Sequence, residues 1–324
     1  MPPPAAETSG SAAPGARRGP AIWKADLALL AITAIWGATF LIVQGALTAA
    51  SPLAFNAARF TLAGVLLALV YHRHLRQIPA RVWGASAVLG LLLAIGFGFQ
   101  TEGLEFTTAA KSAFLTGLSV VLVPFLVALL WRRRLAWSAY AGAVVALGGL
   151  YFLAFARSLT GGWGTINRGD TLTLLCAVAF AAQIAAQGEF APRHGFIRLA
   201  VLQVFFAAVF SWGAAGLLEP VHLAWSNPRL LEALAVTAVL ATAVAFTVQS
   251  WAQQFTPASH TAVIFAAEPV FAWFTSLALG VEALLANQIV GAVLVVAAIL
   301  VIELLPARRA RDMPLVRAEL DGGG

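Results

Sequence analysis

Glu268 lies directly before Pro269 inside a long apolar run, and Arg59 sits alone in another. A carboxylate in apolar surroundings can take up and release a proton, or meet the amine of a solute. It can equally satisfy a helix end at a bend, because proline lacks an N–H and leaves a carbonyl free one turn back. Pro124 occupies a comparable place in an earlier run, and both prolines are candidate helix kinks. Arg59 could bind a solute carboxylate, or snorkel and tie two helices together. Glu102, Glu105 and Lys111 fall around one short turn, where Glu102 or Glu105 could pair with Lys111. Lys111 and His260 each open an apolar run, and a base at a helix N-terminus suggests anion attraction or a gating contact, or simply hydration. Gln183 and Gln187 are four apart, hence on one helix face. Together with Gln100, Gln249, Thr116 and Thr261 they form a mild polar set able to face either a solute or another helix. Trp36 and Trp251 could wall an aromatic cavity.

Other chemistries lack their residues. No Gly-Lys-Ser/Thr phosphate loop, His-Glu-x-x-His metal pair or Gly-x-Ser-x-Gly elbow occurs, so no cofactor, metal site or catalytic residue is expected. Cys176 is the single cysteine, which excludes an intramolecular disulfide, and its apolar run suits a small buried hydrophobe. Loops this short leave no room for a soluble catalytic domain, so an enzyme is not expected.

The elements that would position these residues follow from composition. The chain is 60% hydrophobic and 10% charged, against about 25% charged residues in a soluble domain. Lipid must be the solvent for most of it. A spanning helix needs about 20 mainly apolar residues. Ten such runs are expected, over residues 26–46, 53–71, 82–103, 110–131, 138–155, 171–189, 198–217, 230–251, 260–280 and 287–305. The boundaries between the third and fourth runs and between the eighth and ninth are the weakest, with almost no charge to mark a surface. Isolated ionisable groups at the centre of a bilayer cost at least about 2.5–3.5 kcal/mol, so Arg59 and Glu268 should face a cavity or a partner.

The net charge of +6 does not point to nucleic acid, because the basic residues sit in the short segments between apolar runs. With the N-terminus in the cytoplasm and every run crossing, the cytoplasmic segments hold Arg17, Arg18, Lys24, Arg73, Arg76, Arg81, Arg132, Arg133, Arg134, Arg193, Arg198, Arg308, Arg309, Arg311 and Arg317. Only Arg157, Arg168 and Arg229 fall outside. That asymmetry obeys the positive-inside rule and places both termini in the cytoplasm. Trp23, Trp131, Trp137 and Trp163 suit an interfacial belt.

The two halves repeat. Gln100-Thr-Glu-Gly-Leu-Glu-Phe-Thr-Thr-Ala109 aligns with Gln249-Ser-Trp-Ala-Gln-Gln-Phe-Thr-Pro-Ala258. At the same offset Lys111-Ser-Ala meets His260-Thr-Ala, and Gly142-Ala-Val-Val meets Gly291-Ala-Val-Leu. At a slightly different offset Asp26-x-x-x-Leu30 meets Asp170-x-x-x-Leu174, and Arg59 falls opposite Gln203. Five runs per half, an odd number, invert one half relative to the other. Inverted repeats are the architecture of many alternating-access carriers, with the solute near the midplane.

With these residues the chain resembles the EamA-type members of the drug/metabolite transporter superfamily, from Asp26 to about Leu305. Its matching pieces are Trp36-Gly37-Ala-Thr-Phe40, Pro52…Arg59-Phe60, Thr108-Ala…Phe114-Leu-Thr…Pro124 and Gly142…Gly148-Gly149 in the first half. Gly169-Asp170, Glu268-Pro269, Glu282 and Gly291 follow in the second. One departure is Phe180, where the repeat would place a partner of Trp36. The resemblance implies a multi-pass carrier of the cell (inner) membrane that exports metabolites, amino acids or drugs. It also implies a central cavity walled by both repeats, with the fifth and tenth helices as peripheral scaffold.

The expectation is therefore an all-α integral membrane protein of ten transmembrane helices in two inverted five-helix repeats. Residues 1–25 form a disordered cytoplasmic N-terminus, 26–155 the first repeat, 156–170 an external linker, 171–305 the second repeat and 306–324 a disordered cytoplasmic tail. Its partners are membrane lipids and a small-molecule solute, moved by alternating access, with Glu268 as the coupling carboxylate. The solute, coupling ion and oligomeric state are not legible. A channel-like facilitator or uniporter, and a membrane scaffold or enzyme, are the competing classes.

Overall fold

The computed structural model describes residues 22–132, 135, 137–155, 167–280 and 286–304. Expectations about both termini, most of the 156–170 linker, Arg133, Arg134, Arg157, Trp163 and Glu282 lie outside those residues. The described chain is helical: α1 (Ile22–Ala46), α2 (Pro52–Val70), α3 (Ala80–Leu104), α4 (Ala109–Gly117), α5 (Ser119–Trp131), α6 (Trp137–Phe155), α7 (Arg168–His194), α8 (Phe196–Leu218), α9 (Pro228–Ala238), α10 (Ala245–Ala252), α11 (Ala258–Phe265), α12 (Glu268–Ala278) and α13 (Ala286–Leu304). A π-helical segment, Val239–Val244, joins α9 to α10.

Among the described residues, eight helical stretches are long and apolar enough to cross a membrane, three of them composite: Lys111–Trp131, Pro228–Ala252 and Ala258–Ala278. The fifth and tenth expected runs appear as shorter apolar helices. They pack on each other where Gly149 and Gly291 meet: a Cβ on either would come within 2.8 Å or less of the other's carbonyl oxygen. Small residues at such a crossing let two backbones touch, the main source of helix affinity in lipid. Leu129, Val144 and Val293 stay exposed, as lipid-facing side chains should.

Helix ends are set locally. Asn167 caps α7 in a capping box with Asp170, and Thr108 Oγ1 accepts from Lys111 N at the start of α4. Pro52 opens α2, whose first-turn amides at Leu53 and Ala54 donate to the Glu219 carboxylate at the end of α8. Gly195, at φ +77°, turns the chain from α7 into α8.

Loop contacts fall on two opposite faces. On one, Asp26 accepts from Thr256, Gln254 donates to Ala191 O, and Arg198 donates to His74 O. This is called the N-terminal face below, since α1 begins there. On the other, the distal face, Ser51 pairs with His222 and Asn167 donates to Phe106 O, while Gln44 donates to Thr107 O. Consecutive long helices thus run antiparallel.

Two expected single runs are broken. The run 110–131 divides at Leu118, and the run 260–280 divides at Ala266–Ala267. Leu118 and Ala267 occupy equivalent positions in the sequence repeat. Pro269 lies in the first turn of α12, beside its break, whereas Pro124 lies inside α5, well past the other. The shared break position therefore does not follow the prolines, which are out of register between the halves.

Candidate functional site

A cavity lies among the helices of both halves, with about 750 Å³ of atom-free space counting the part open to solvent. Aromatic rings make much of its wall. Trp36 stands edge-on to Phe265 with centroids 5.0 Å apart, and Phe97 edge-on to Phe180 at 4.9 Å. Phe40 and Phe246 extend the same wall. Both helix breaks open onto the cavity: Gly117 and Ser119 line it from one, Phe265 and Glu268 from the other. Broken helices leave backbone polar groups off the ladder, which is tolerated at membrane depth only where protein or a hydrated cavity satisfies them.

Of the residues singled out from the sequence, Trp36, Arg59, Gln100, Thr116, Gln183, Gln249 and Glu268 line this cavity. Arg59 is buried and its guanidinium is already engaged. Nε donates to Thr242 Oγ1 at 2.7 Å and Nη2 to Ala241 O at 3.3 Å, and the group sits 4.3 Å from the Phe97 ring centroid. Trp36 Nε1 donates to the same Ala241 O at 2.9 Å. Ala241 and Thr242 lie in the π-helical segment. Two cavity side chains thus converge on one carbonyl of a π-helical irregularity, a feature frequent at functional sites. Gln100 Nε2 donates to Thr116 Oγ1 at 3.2 Å.

Gln183 and Gln249 belong to a chain of amides running from the cavity toward the N-terminal face. Gln249 Nε2 donates to both Gln183 Oε1 and Gln253 Oε1, and Gln253 Nε2 donates to Ile184 O. Behind them Gln187 and Gln203 both donate to Ser250 Oγ. Gln187 is thus buried but lies off the cavity lining. The other nominated residues lie off it too. Trp251 packs on Phe255, His260 is buried near Asp26 at the N-terminal face, and Thr261 is buried next to it in α11.

Lys111 and Glu102 are at the distal face, and the expected pairing between them is corrected. Lys111 Nζ meets Asp170 Oδ2 at 2.6 Å, while Glu102 pairs with Arg168 at 2.9 Å. The capping box at the start of α7 aims the Asp170 carboxylate at α4, leaving Glu102 to the exposed arginine. Glu105, on the same face, has its carboxyl pushed above the usual range, first by burial and then by the nearby charges of Glu102 and Glu219.

Sequence reading missed Thr39, Thr101, Ser119 and most of the phenylalanines of the lining. One signal was available for two of them. Phe180 was noted as the counterpart of Trp36, and Thr101 aligns with Ser250.

The lining is lopsided. Val43, Thr101 and Leu104, toward the distal ends of α1 and α3, belong to it. Their sequence counterparts Gln187, Ser250 and Gln253, toward the N-terminal face, do not: Gln187 bonds Ser250, and Gln253 bonds Gln249 and Ile184 O.

One solved crystal structure matches with a TM-score of 0.72 at 23% identity, covering 89% of this chain and 99% of its own, which carries the fold alone. An uncharacterized transporter of Archaeoglobus fulgidus is 33% identical over 280 residues, covering 86% of each chain. The uncharacterized transporter YoaV of Bacillus subtilis is 23% identical over 84% of this chain and 94% of its own. The profile of the EamA-like transporter family matches twice, over residues 23–155 and 167–304. The chain is a multi-pass membrane protein and belongs to the EamA-like transporter family.

Proposed function

We propose that the protein is a secondary carrier of small organic solutes, metabolites or amino acids, working by alternating access around the central cavity. In this reading, ten helices cross the membrane as two inverted five-helix repeats, residues 26–155 and 171–305. The basic N-terminal face lies in the cytoplasm, and export from the cell membrane is the direction.

The observation that carries the reading is the cavity itself, lined from both halves where α4–α5 and α11–α12 break at equivalent positions. Its lopsided lining describes a carrier open toward the distal face. The amide chain of Gln183, Gln249 and Gln253 closes the route to the other face. Solute would lie against the Trp36 and Phe97 walls, its polar groups meeting the amides and Glu268. Glu268 is the one acidic side chain of the lining among the described residues, which suits it to couple a proton or hold a solute amine. Arg59, spent on Ala241, Thr242 and Phe97, serves chiefly to hold the π-helical segment.

A counterflow screen of labelled amino acids, nucleosides and sugars in proteoliposomes tests this. At least one class should accumulate transiently against its own gradient when unlabelled solute is preloaded. Uptake that only equilibrates, without trans-stimulation, would fit a channel-like facilitator. No uptake of any class would leave the carrier reading without support.

A further inference from the structure

The sequence repeat pairs Asp26 with Asp170, Thr107 with Thr256 and Lys111 with His260. The fold turns these into two matched clusters on opposite faces. At the distal face Asp170 accepts from Thr107 Oγ1 at 3.0 Å and meets Lys111 Nζ at 2.6 Å. At the N-terminal face Asp26 accepts from Thr256 Oγ1 at 2.8 Å, with His260 Nε2 at 3.7 Å. In each, the acid comes from the first helix of one half, and the threonine and base come from the start of the fourth helix of the other.

Packing beside the two acids is also alike. Gly169 and Gly103 are in backbone contact next to Asp170, where a Cβ on Gly169 would fall 2.6 Å from Gly103 O. Their counterparts Ala25 and Ala252 are both fully buried next to Asp26. Both positions beside each acid are thus small residues, the kind that permits close helix approach.

We propose that Asp26 and Asp170 are positioning residues that act as the two pivots of the transport cycle, each holding its cross-half contact closed while the cavity changes face. The inference rests on the alternating-access reading above and follows from symmetry. In a molecule of two inverted halves, the second state is generated by exchanging the conformations of the halves. A contact present on one face only must then open there while the counterpart positions close on the other. A contact present on both faces at once survives the exchange. The Gln187–Ser250 bond is of the first kind, since its counterparts are Val43 and Thr101, and Thr101 bonds Asn56 instead. The two aspartate clusters are of the second kind. A gate at the open face would be broken here, and neither cluster is.

The test uses full-length protein carrying Cys176→Ala, reconstituted with one orientation and given a reporter cysteine in the cavity by Ser119→Cys. Labelling is followed with a membrane-impermeant trimethylammonium thiosulfonate added to either face. Two locks are compared: Thr107→Cys with Asp170→Cys, and Asp26→Cys with Thr256→Cys, each oxidised to a disulfide. The expected result is efficient disulfide formation with labelling rates from both faces within about twofold of the reduced protein. As contrast, a lock by Gln187→Cys with Ser250→Cys should cut labelling from the N-terminal face at least tenfold.

A tenfold loss at either face on closing an aspartate-site lock would make that cluster a gate and overturn the assignment, while leaving alternating access standing. Failure of the disulfides to form would show that the contacts are not kept, and would overturn it too. An amide-site lock without effect would erase the difference between pivot and gate, and the assignment with it. Labelling from one face only before oxidation would sink alternating access itself and the pivots together.

Discussion

Trp36 and Arg59 illustrate how a residue can line a cavity and still be occupied elsewhere. Both donate to Ala241 O, and Arg59 also reaches Thr242. Trp36→Phe keeps a ring in the wall but removes one donor, which should cost about 1 kcal/mol. A thermal-shift measurement in detergent would register it as a lower Tm, and an unchanged Tm would show the bond to be idle. Arg59→Lys loses the fork that serves two acceptors and should cost more than Trp36→Phe by the same measure. Glu268 lines the same cavity from the first turn of α12. Glu268→Gln should abolish the pH dependence of counterflow while leaving the protein folded. If transport and its pH profile survive, the coupling role belongs to another group.

Sequence reading found these side chains because an isolated charge in an apolar run is visible in one dimension. It did not find what they touch. The partners of Arg59 are Thr242 Oγ1 and Ala241 O in the π-helical segment Val239–Val244, a stretch of plain Val, Leu, Ala and Thr with nothing in it to mark the defect. Asp170 is visible as the counterpart of Asp26, yet the sequence offers Glu102 or Glu105 as possible partners of Lys111. Those are nearer in sequence, whereas the actual bond crosses between the halves.

At the scale of elements, the repeat offset carried more than hydropathy did. Hydropathy gave continuous runs over 110–131 and 260–280, and both are broken helices. A break of one or two residues costs too little apolar character to interrupt a hydropathy window, but Leu118 and Ala267 fall at one repeat position. The pairing of α6 with α13 offers a sharper check of packing. Gly149 abuts the Gly291 carbonyl, whereas a Cβ on its neighbour Gly148 would meet nothing within 4 Å. Gly149→Ala must push two backbones apart and should lower Tm by several degrees. Gly148→Ala should leave it unchanged or raise it, since alanine is favoured over glycine in helices by about 1 kcal/mol. Equal effects of the two substitutions would mean that the crossing is looser than described.

For the whole molecule, apolar composition and the spread of lysine and arginine were enough to read a multi-pass helical membrane protein. The cavity was legible only in outline, because its lining comes from helices far apart in sequence and includes phenylalanines indistinguishable from lipid-facing ones. The central claim is that one cavity, between the two halves, is reached from each face in turn. Its most direct test places a single cysteine on the wall, Thr39→Cys in a Cys176→Ala background. Oriented proteoliposomes are then exposed to an impermeant thiol reagent from each side separately. Alternating access requires modification from both sides, with a faster rate from the distal face, toward which the lining extends. Modification from one side alone, however long the exposure, would contradict it.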